Sequence, residues 1–241
     1  TRMNRFCAFD IEIEKETPED CSDWKTIRPL GISCAATMRS GDERPTLWYH
    51  GMPSIEPLPG AMTREEVGEL VMYLITMHIA DYELLTWNGL GFDFDVLAEE
   101  SGMLDTCKQL ALGHIDMMFH FFCIKGFPLG LNTAAHALGL TGKTEGMHGD
   151  LAPAMWAKET ADRLKVLEYV GQDAKTTLQV AEEAQKQGGI RWTSKSGRMN
   201  TFRLFDWLTV KDALNLPLPD TSWMTTPRLR SDFYGWTGYE P

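Results

Sequence analysis

The stretch from Thr160 to Gln187 constrains the fold most, because it is the longest helical pattern in the chain. Apolar residues recur in it every three or four positions, which is the period of an amphipathic helix. They are Leu164, Leu167, Val170, Ala174, Leu178 and Ala181. Such an apolar stripe is stable only when another layer of the protein covers it, so this helix must pack on a large apolar surface.

The segments that precede this helix supply that surface. The patterns predict strands over residues 5–14, 30–38, 45–50, 83–87 and 113–116. They predict helices from Thr63 onward and over residues 93–101, 117–125, 132–138 and 151–158. Strands mixed with helices and ending in a long helix indicate an α/β fold with three layers, in which helices flank a mixed central sheet.

The composition changes after Gly188-Gly189, where short aromatic and proline-containing pieces replace the long helix. We therefore interpret residues 1–187 as one domain and residues 188–241 as a C-terminal extension that packs on the same domain. The extension carries seven Lys/Arg and five Asp/Glu, a net charge of +2. Because the whole chain has a net charge of −11, residues 1–187 carry a net charge of −13. This acidic balance argues against a protein that clamps duplex nucleic acid through a broad basic face.

The five cysteines are odd in number, widely spaced and without a CxxC pair. This pattern is typical of reduced thiols and predicts a cytoplasmic protein. The apolar runs are too short to cross a bilayer, and no secretory signal is evident at the start, so we expect no membrane association.

The first candidate site is Asp10 and Glu12, at the end of the first predicted strand. Alternate residues of a strand share a face about 7 Å apart, so both carboxylates point the same way and can hold metal. Glu14 continues the alternation, and a solvent-facing acidic strand edge remains an alternative interpretation.

Two further acidic motifs follow along the chain. Asp93 begins a predicted helix, where an acid can simply stabilise the helix N-terminus, and Asp95 competes for the same role. Tyr169 and Asp173 stand four residues apart on the long helix and therefore share a face, although a plain hydrogen-bonded pair is an equal explanation. Taken singly, each motif has an ordinary structural explanation.

Taken together, the three motifs resemble those of the DnaQ-like (DEDD) 3′–5′ exonucleases, above all the proofreading exonuclease domain of family B DNA polymerases. Asp-x-Glu on the opening strand corresponds to Asp10 and Glu12. Asn-x-x-x-Phe-Asp after a strand corresponds to Asn88, Phe92 and Asp93. Tyr-x-x-x-Asp on the last helix corresponds to Tyr169 and Asp173.

The resemblance spans roughly residues 5–187 and favours Asp93 over Asp95. One branch of the family has histidine five residues before the last acid. Glu168 occupies that position here, so the chain is similar to the tyrosine branch (DEDDy).

This resemblance implies a ribonuclease H-like fold and a two-metal nuclease. Two Mg²⁺ or Mn²⁺ ions about 4 Å apart would bind Asp10, Glu12, Asp93 and Asp173. They would activate the attacking water, oriented by Tyr169, and stabilise the departing 3′ oxygen. Without metal the acids repel one another, so at least one should be partly protonated near neutral pH. The expected product is a nucleoside 5′-monophosphate released from the 3′ end of single-stranded DNA or RNA.

Residues that hold the substrate are harder to identify from the sequence. Asn88 and Phe92 could contact the terminal nucleotide, although turn closure and core packing explain them equally well. Arg191, Lys195 and Arg198 could neutralise phosphates, or they could belong to a solvated loop. A polymerase, helicase or repair partner stays unspecified, and a non-catalytic binding module or an internally cutting nuclease remains an alternative function.

Overall fold

A five-stranded mixed sheet organises the protein in a computed structural model that describes residues 5–142, 149–194 and 196–241. The strands lie in the order β3-β2-β1-β4-β5. β1 is antiparallel to β2 and parallel to β4, and β4 is parallel to β5. Their bounds are β1 Phe6–Ile13, β2 Ile32–Arg39, β3 Thr46–Tyr49, β4 Glu83–Thr86 and β5 Ile115–Asp116. All five strands were predicted, and β1 lies at the centre.

Helices cover both faces of this sheet. Those before residue 188 include α1 Arg64–Ile79, α2 Asp93–Ser101, α3 Leu104–Gly113, α4 Met117–Lys125, α5 Leu131–Ala137, α6 Ala152–Trp156 and α7 Thr160–Gln187. A capping box begins α1, because Thr63 accepts from the Glu66 N–H and Glu66 accepts from the Thr63 N–H. α7 ends at Gly188 in the left-handed conformation that favours glycine.

Alternate residues of β1 face two separate cores. Cys7, Phe9 and Ile11 belong to one core with residues of α1, α2 and α3. Phe6 and Ala8 belong to the other with residues of α5, α6 and α7. Two helical layers around one mixed sheet confirm the predicted α/β class.

Three local predictions were wrong. The sequence patterns missed α3, although Cys107, Leu110 and Ala111 form a short helical stripe in it. The helix predicted over residues 151–158 is shorter, because a tight helical turn at Gly149–Leu151 precedes α6. Leu164 was placed on the buried stripe of α7, yet its side chain is exposed near the start of that helix.

Residues after α7 form a two-stranded hairpin, β6 Gly189–Thr193 and β7 Met199–Arg203, and two short helices, α8 Val210–Leu214 and α9 Ser231–Tyr234. Phe202 and Trp207 join the core beneath α7, and Phe233 joins the core beneath α1. No helix among the described residues is long and apolar enough to cross a membrane.

Candidate active site

Three carboxylates meet where β1 passes beneath α7. Asp10, Glu12 and Asp173 each bring one carboxylate oxygen within 4.8 Å of the other two. Glu12 and Asp173 are buried, and Asp10 is half-buried. The Ser33 hydroxyl donates to the Glu12 carbonyl and fixes the main chain at this position.

The acid at the start of α2 faces the same place. Asp93 is buried, and its Oδ1 accepts a hydrogen bond of 3.2 Å from the Ile11 N–H, between the two acids of β1. Burial raises the pKa of the Asp93 carboxyl to about 7, and the nearby charge of Asp116 adds to that rise. From the sequence we expected repulsion among the acids to favour protonation. For Asp93, burial is the larger cause of the raised pKa.

Asp95 points elsewhere. Arg28 lies 2.6 Å from Asp95 Oδ2 in an ion pair, and Lys25 approaches the same oxygen at 3.9 Å. Successive helical residues rotate by about 100°, so Asp93 and Asp95 lie on opposite sides of α2. Asp93 therefore lines the same cavity as the three clustered acids, whereas Asp95 is held in ion pairs on the other side of α2.

One cavity of about 410 Å³ joins these groups, and we name it the acid cavity. Its wall contains all the predicted acids together with Tyr169, Asn88 and Phe92. Several other residues of the wall were not predicted from the sequence, among them Thr17, Trp24, Trp87 and Asp150. Glu14 is exposed beyond the end of β1 and lies outside the described wall of the cavity.

Tyr169 is buried, and its hydroxyl faces the acids. A Cβ atom placed on Gly149 would lie 3.9 Å from the Tyr169 hydroxyl and 3.8 Å from Glu12 Oε2. The turn that contains Gly149 and the exposed Asp150 therefore borders the acids from the α6 side. No motif in the sequence singles out this turn.

The loop between β4 and α2 presents Asn88 and Phe92. Asn88 has a positive φ of 75°, and its N–H donates to Asp116, which also accepts from Leu90. The Phe92 ring meets Trp24 edge-on, with ring centroids 5.0 Å apart. The buried Asp116 carboxylate therefore fixes the main chain of this loop, and the contact with Trp24 positions the Phe92 ring.

Two of the predicted basic residues, Arg191 and Arg198, are described, and they do not line the acid cavity. Arg191 is exposed on β6, and Arg198 is exposed just before β7. Lys195 lies outside the described residues.

A buried histidine supports the same loop. His114 Nδ1 lies 2.6 Å from the Ala111 carbonyl, and its Nε2 lies 2.8 Å from the Thr86 hydroxyl, which itself accepts from the Gly89 N–H. Nδ1 must donate to the carbonyl, so Nε2 accepts from Thr86 and the ring is neutral. Burial lowers the pKa of His114 to about 3.

We expect the contribution of the buried, neutral His114 to the free energy of unfolding to fall in acid. The unfolded chain binds a proton at His114 below about pH 6.5, whereas the folded protein does not, so protons favour unfolding as the pH falls. The contribution to the free energy of unfolding should drop by about 2 kcal/mol between pH 8 and pH 5. Urea unfolding of the wild type and of His114→Gln at both pH values checks this, and the wild type should lose about 2 kcal/mol more than the variant. The difference between the two proteins is the measurement, because the raised pKa values of the buried Asp93 and Asp116 carboxyls stabilise the fold as the pH falls. An NMR titration midpoint near pH 6.5 for the His114 ring would contradict it.

The donor set suits a hard divalent cation. Every converging ligand atom of the cluster is a carboxylate oxygen, which Mg²⁺ and Mn²⁺ prefer over nitrogen or sulfur ligands. Buried acids of like charge are also costly without a cation beside them. The residues therefore fit a divalent metal site.

The mixed sheet with acids above its central strand defines an α/β protein of the ribonuclease H-like class. The RNase_H_2 family model, of the RNase_H superfamily, matches residues 60–185, and the chain belongs to this family. The matched range includes Asp93, Tyr169 and Asp173 and excludes the two acids of β1. No curated protein sequence matches the chain significantly.

A solved structure shows the same fold. A family B DNA polymerase from the hyperthermophilic archaeon Pyrobaculum calidifontis is 21% identical, with a TM-score of 0.54, over 75% of this chain and 24% of the polymerase. The chain thus spans about a quarter of the polymerase's length. A structure of exonuclease I is 13% identical, with a TM-score of 0.36, over 76% of this chain and 41% of that protein.

Proposed function

We propose that this protein is a divalent-metal-dependent 3′–5′ exonuclease of the tyrosine branch (DEDDy), acting on single-stranded nucleic acid, with DNA preferred over RNA. The observation that carries the proposal is the convergence of Asp10, Glu12 and Asp173 within 4.8 Å in a cavity that Asp93 and Tyr169 also line. A module that only binds nucleic acid would gain nothing from holding like charges together beside an anionic ligand.

In this proposal the four acids hold two Mg²⁺ or Mn²⁺ ions. When bound, such ions lower the pKa of an attacking water and neutralise charge that develops on the phosphate. Asp10 and Glu12 are fixed by the central strand, and Asp173 by α7, so the ligand oxygens need little rearrangement. The hydroxyl of Tyr169 would hold the attacking water by a hydrogen bond.

Asn88 and Phe92 would position the terminal nucleotide, by a polar contact and by stacking respectively. Both lie on the wall of the acid cavity, on the loop that Asp116 fixes. Arg191 and Arg198 remain candidates for distant phosphate contacts only, because both lie outside that wall, and Lys195 remains a predicted phosphate contact.

A cleavage assay tests the proposal. Single-stranded DNA and RNA labelled at the 5′ end should yield ladders that shorten from the 3′ end in Mg²⁺ or Mn²⁺, because terminal phosphodiesters are hydrolysed one at a time. EDTA should abolish the ladders by removing the cation. Rates on the two labelled strands measure the preference for DNA.

Three outcomes would contradict the proposal in different ways. Ladders unaffected by EDTA would exclude a metal-dependent reaction. Cleavage of a circular single strand would indicate an internally cutting nuclease. Absence of cleavage of every linear strand, with the protein folded and metal bound, would favour a non-catalytic binding module.

A further inference from the structure

A second cavity adjoins the acid cavity on the side of the C-terminal extension. Its volume is about 520 Å³, within the range of about 300–1,000 Å³ that ligand sites occupy. It shares Trp24, Asn88 and Phe92 with the acid cavity, so the two adjoin at these three side chains. We name it the second groove, and its other lining residues include Lys25, Arg228 and Trp236.

The extension forms one wall of the second groove and is tied to the loop that carries Asn88. Trp236 Nε1 donates to the Leu90 carbonyl at 2.7 Å. Phe233 fills the space beside Gly91, where an added Cβ would lie 3.1 Å from its ring. Arg230 donates to four main-chain carbonyls and anchors the segment. The wall is therefore held rigidly against the candidate active site.

The charges of the second groove differ from those of the acid cavity. Lys25 and Arg228 balance Asp23 and Asp232, whereas the acid cavity is lined by carboxylates. Both of these acids accept hydrogen bonds from nearby main-chain groups, Asp23 from the Lys25 N–H and Asp232 from the Leu229 N–H.

The cationic side chains remain available to a ligand. The Arg228 guanidinium lies 4.6 Å from the centroid of the Phe233 ring, and it forms no ion pair with any residue that the structure describes. Lys25 is exposed, and its Nζ has two loose contacts, at 3.9 Å from Asp95 Oδ2 and at 5.7 Å from the centroid of the Trp24 ring. Arg28, which also stacks on Trp24 at 4.7 Å, is held by its ion pairs with Asp95 and Glu99.

We infer that the second groove binds the nucleotides that precede the 3′ end of a single DNA strand. Bases would stack on the exposed parts of Trp24 and Trp236, and Lys25 and Arg228 would contact phosphates. This inference rests on the proposed function, because it assigns to the acid cavity only the terminal nucleotide. It also gives the C-terminal extension a part in substrate binding.

Alanine variants of Lys25 and Arg228 test the inference. The probe is a fluorescent DNA strand of twelve nucleotides with phosphorothioate linkages at its 3′ end, which resist hydrolysis while binding is measured in MgCl₂. Each variant should raise the Kd about fivefold and lower the slope of log Kd against log salt by about 0.7, because one phosphate contact is lost. Neither should change hydrolysis of the p-nitrophenyl ester of thymidine 5′-monophosphate, which has no second nucleotide.

Arg5→Ala is the matched control. Arg5 also stacks on an aromatic ring, Tyr82, at 4.0 Å, but it lies at the opposite end of β1, about 17 Å along the strand from Asp10. The inference is overturned if Lys25→Ala and Arg228→Ala bind the DNA strand with the same Kd as Arg5→Ala. It is also overturned if these two variants lose affinity for the strand and hydrolysis of the ester by the same factor. If the wild type binds the strand through these residues but hydrolyses nothing, the proposed exonuclease fails and the groove stands.

Discussion

Asp10→Asn is expected to lower the rate of metal-dependent hydrolysis by about 10³-fold, which corresponds to about 4 kcal/mol of transition-state stabilisation. Asparagine keeps the shape of the side chain but removes the negative charge that a cation needs. Asp10 lies in the three-acid cluster, where its oxygen is within 4.8 Å of those of Glu12 and Asp173. Steady-state rates on a labelled single strand in saturating Mg²⁺ or Mn²⁺ measure the effect.

A second readout separates loss of chemistry from loss of folding. Without metal, the variant removes one of several like charges, so its free energy of unfolding in EDTA should equal or exceed that of the wild type. Metal should stabilise the wild type by about 2.7 kcal/mol at one hundred times the Kd, and the variant by much less. Urea unfolding with and without MnCl₂ measures both quantities.

Glu14→Gln is the matched control, because it removes a carboxylate from the same stretch of chain without touching the acid cavity. Glu14 is exposed beyond the end of β1. Its variant should retain the wild-type rate and the wild-type response to metal. A rate for Asp10→Asn above one tenth of the wild type would show that the cluster is not the site of the reaction.

Strand and helix patterns predicted most of the fold because its layers are built from strongly periodic segments. The strand predicted over residues 5–14 became β1 at Phe6–Ile13, and the helix predicted over Thr160–Gln187 became α7 with the same bounds. α3 was missed because its buried stripe is only a few residues long and because the helix begins at Leu104, two residues after the Gly102 that ends α2. Leu164 shows the opposite error, since a periodic apolar residue near a helix end can face water.

The parts of the candidate site that escaped prediction depend on contacts between distant segments. Trp24, Trp87 and Asp150 line the acid cavity from three separate segments of the chain, and no spacing in the sequence relates them. The bond from Trp236 to Leu90 joins residues 146 positions apart. By contrast, Asp93 and Asp95 differ only in the orientation that α2 gives them. Local patterns could not supply that orientation because both neighbouring faces of α2 are largely buried, and only the family resemblance favoured Asp93.

Tyr169→Phe is expected to lower kcat by about 10²-fold and to leave KM nearly unchanged, because positioning and proton transfer at the attacking water contribute about 10²- to 10⁴-fold. The hydroxyl faces the acids across the position beside Gly149, 3.9 Å from a Cβ placed there. Phenylalanine keeps the buried ring, so circular dichroism and the free energy of unfolding should change little. Steady-state kinetics on the labelled strand, with kcat and KM determined separately, give the measurement.

Tyr49→Phe is the control for loss of a tyrosine hydroxyl. The Tyr49 hydroxyl donates to the Ser54 carbonyl at 2.6 Å, on the edge strand β3 and outside the described wall of the acid cavity. Its variant should keep the wild-type kcat even though it loses a hydrogen bond of similar kind. If Tyr169→Phe matches Tyr49→Phe in kcat, the Tyr169 hydroxyl plays no part in the slow step, and the acids alone must orient the attacking water.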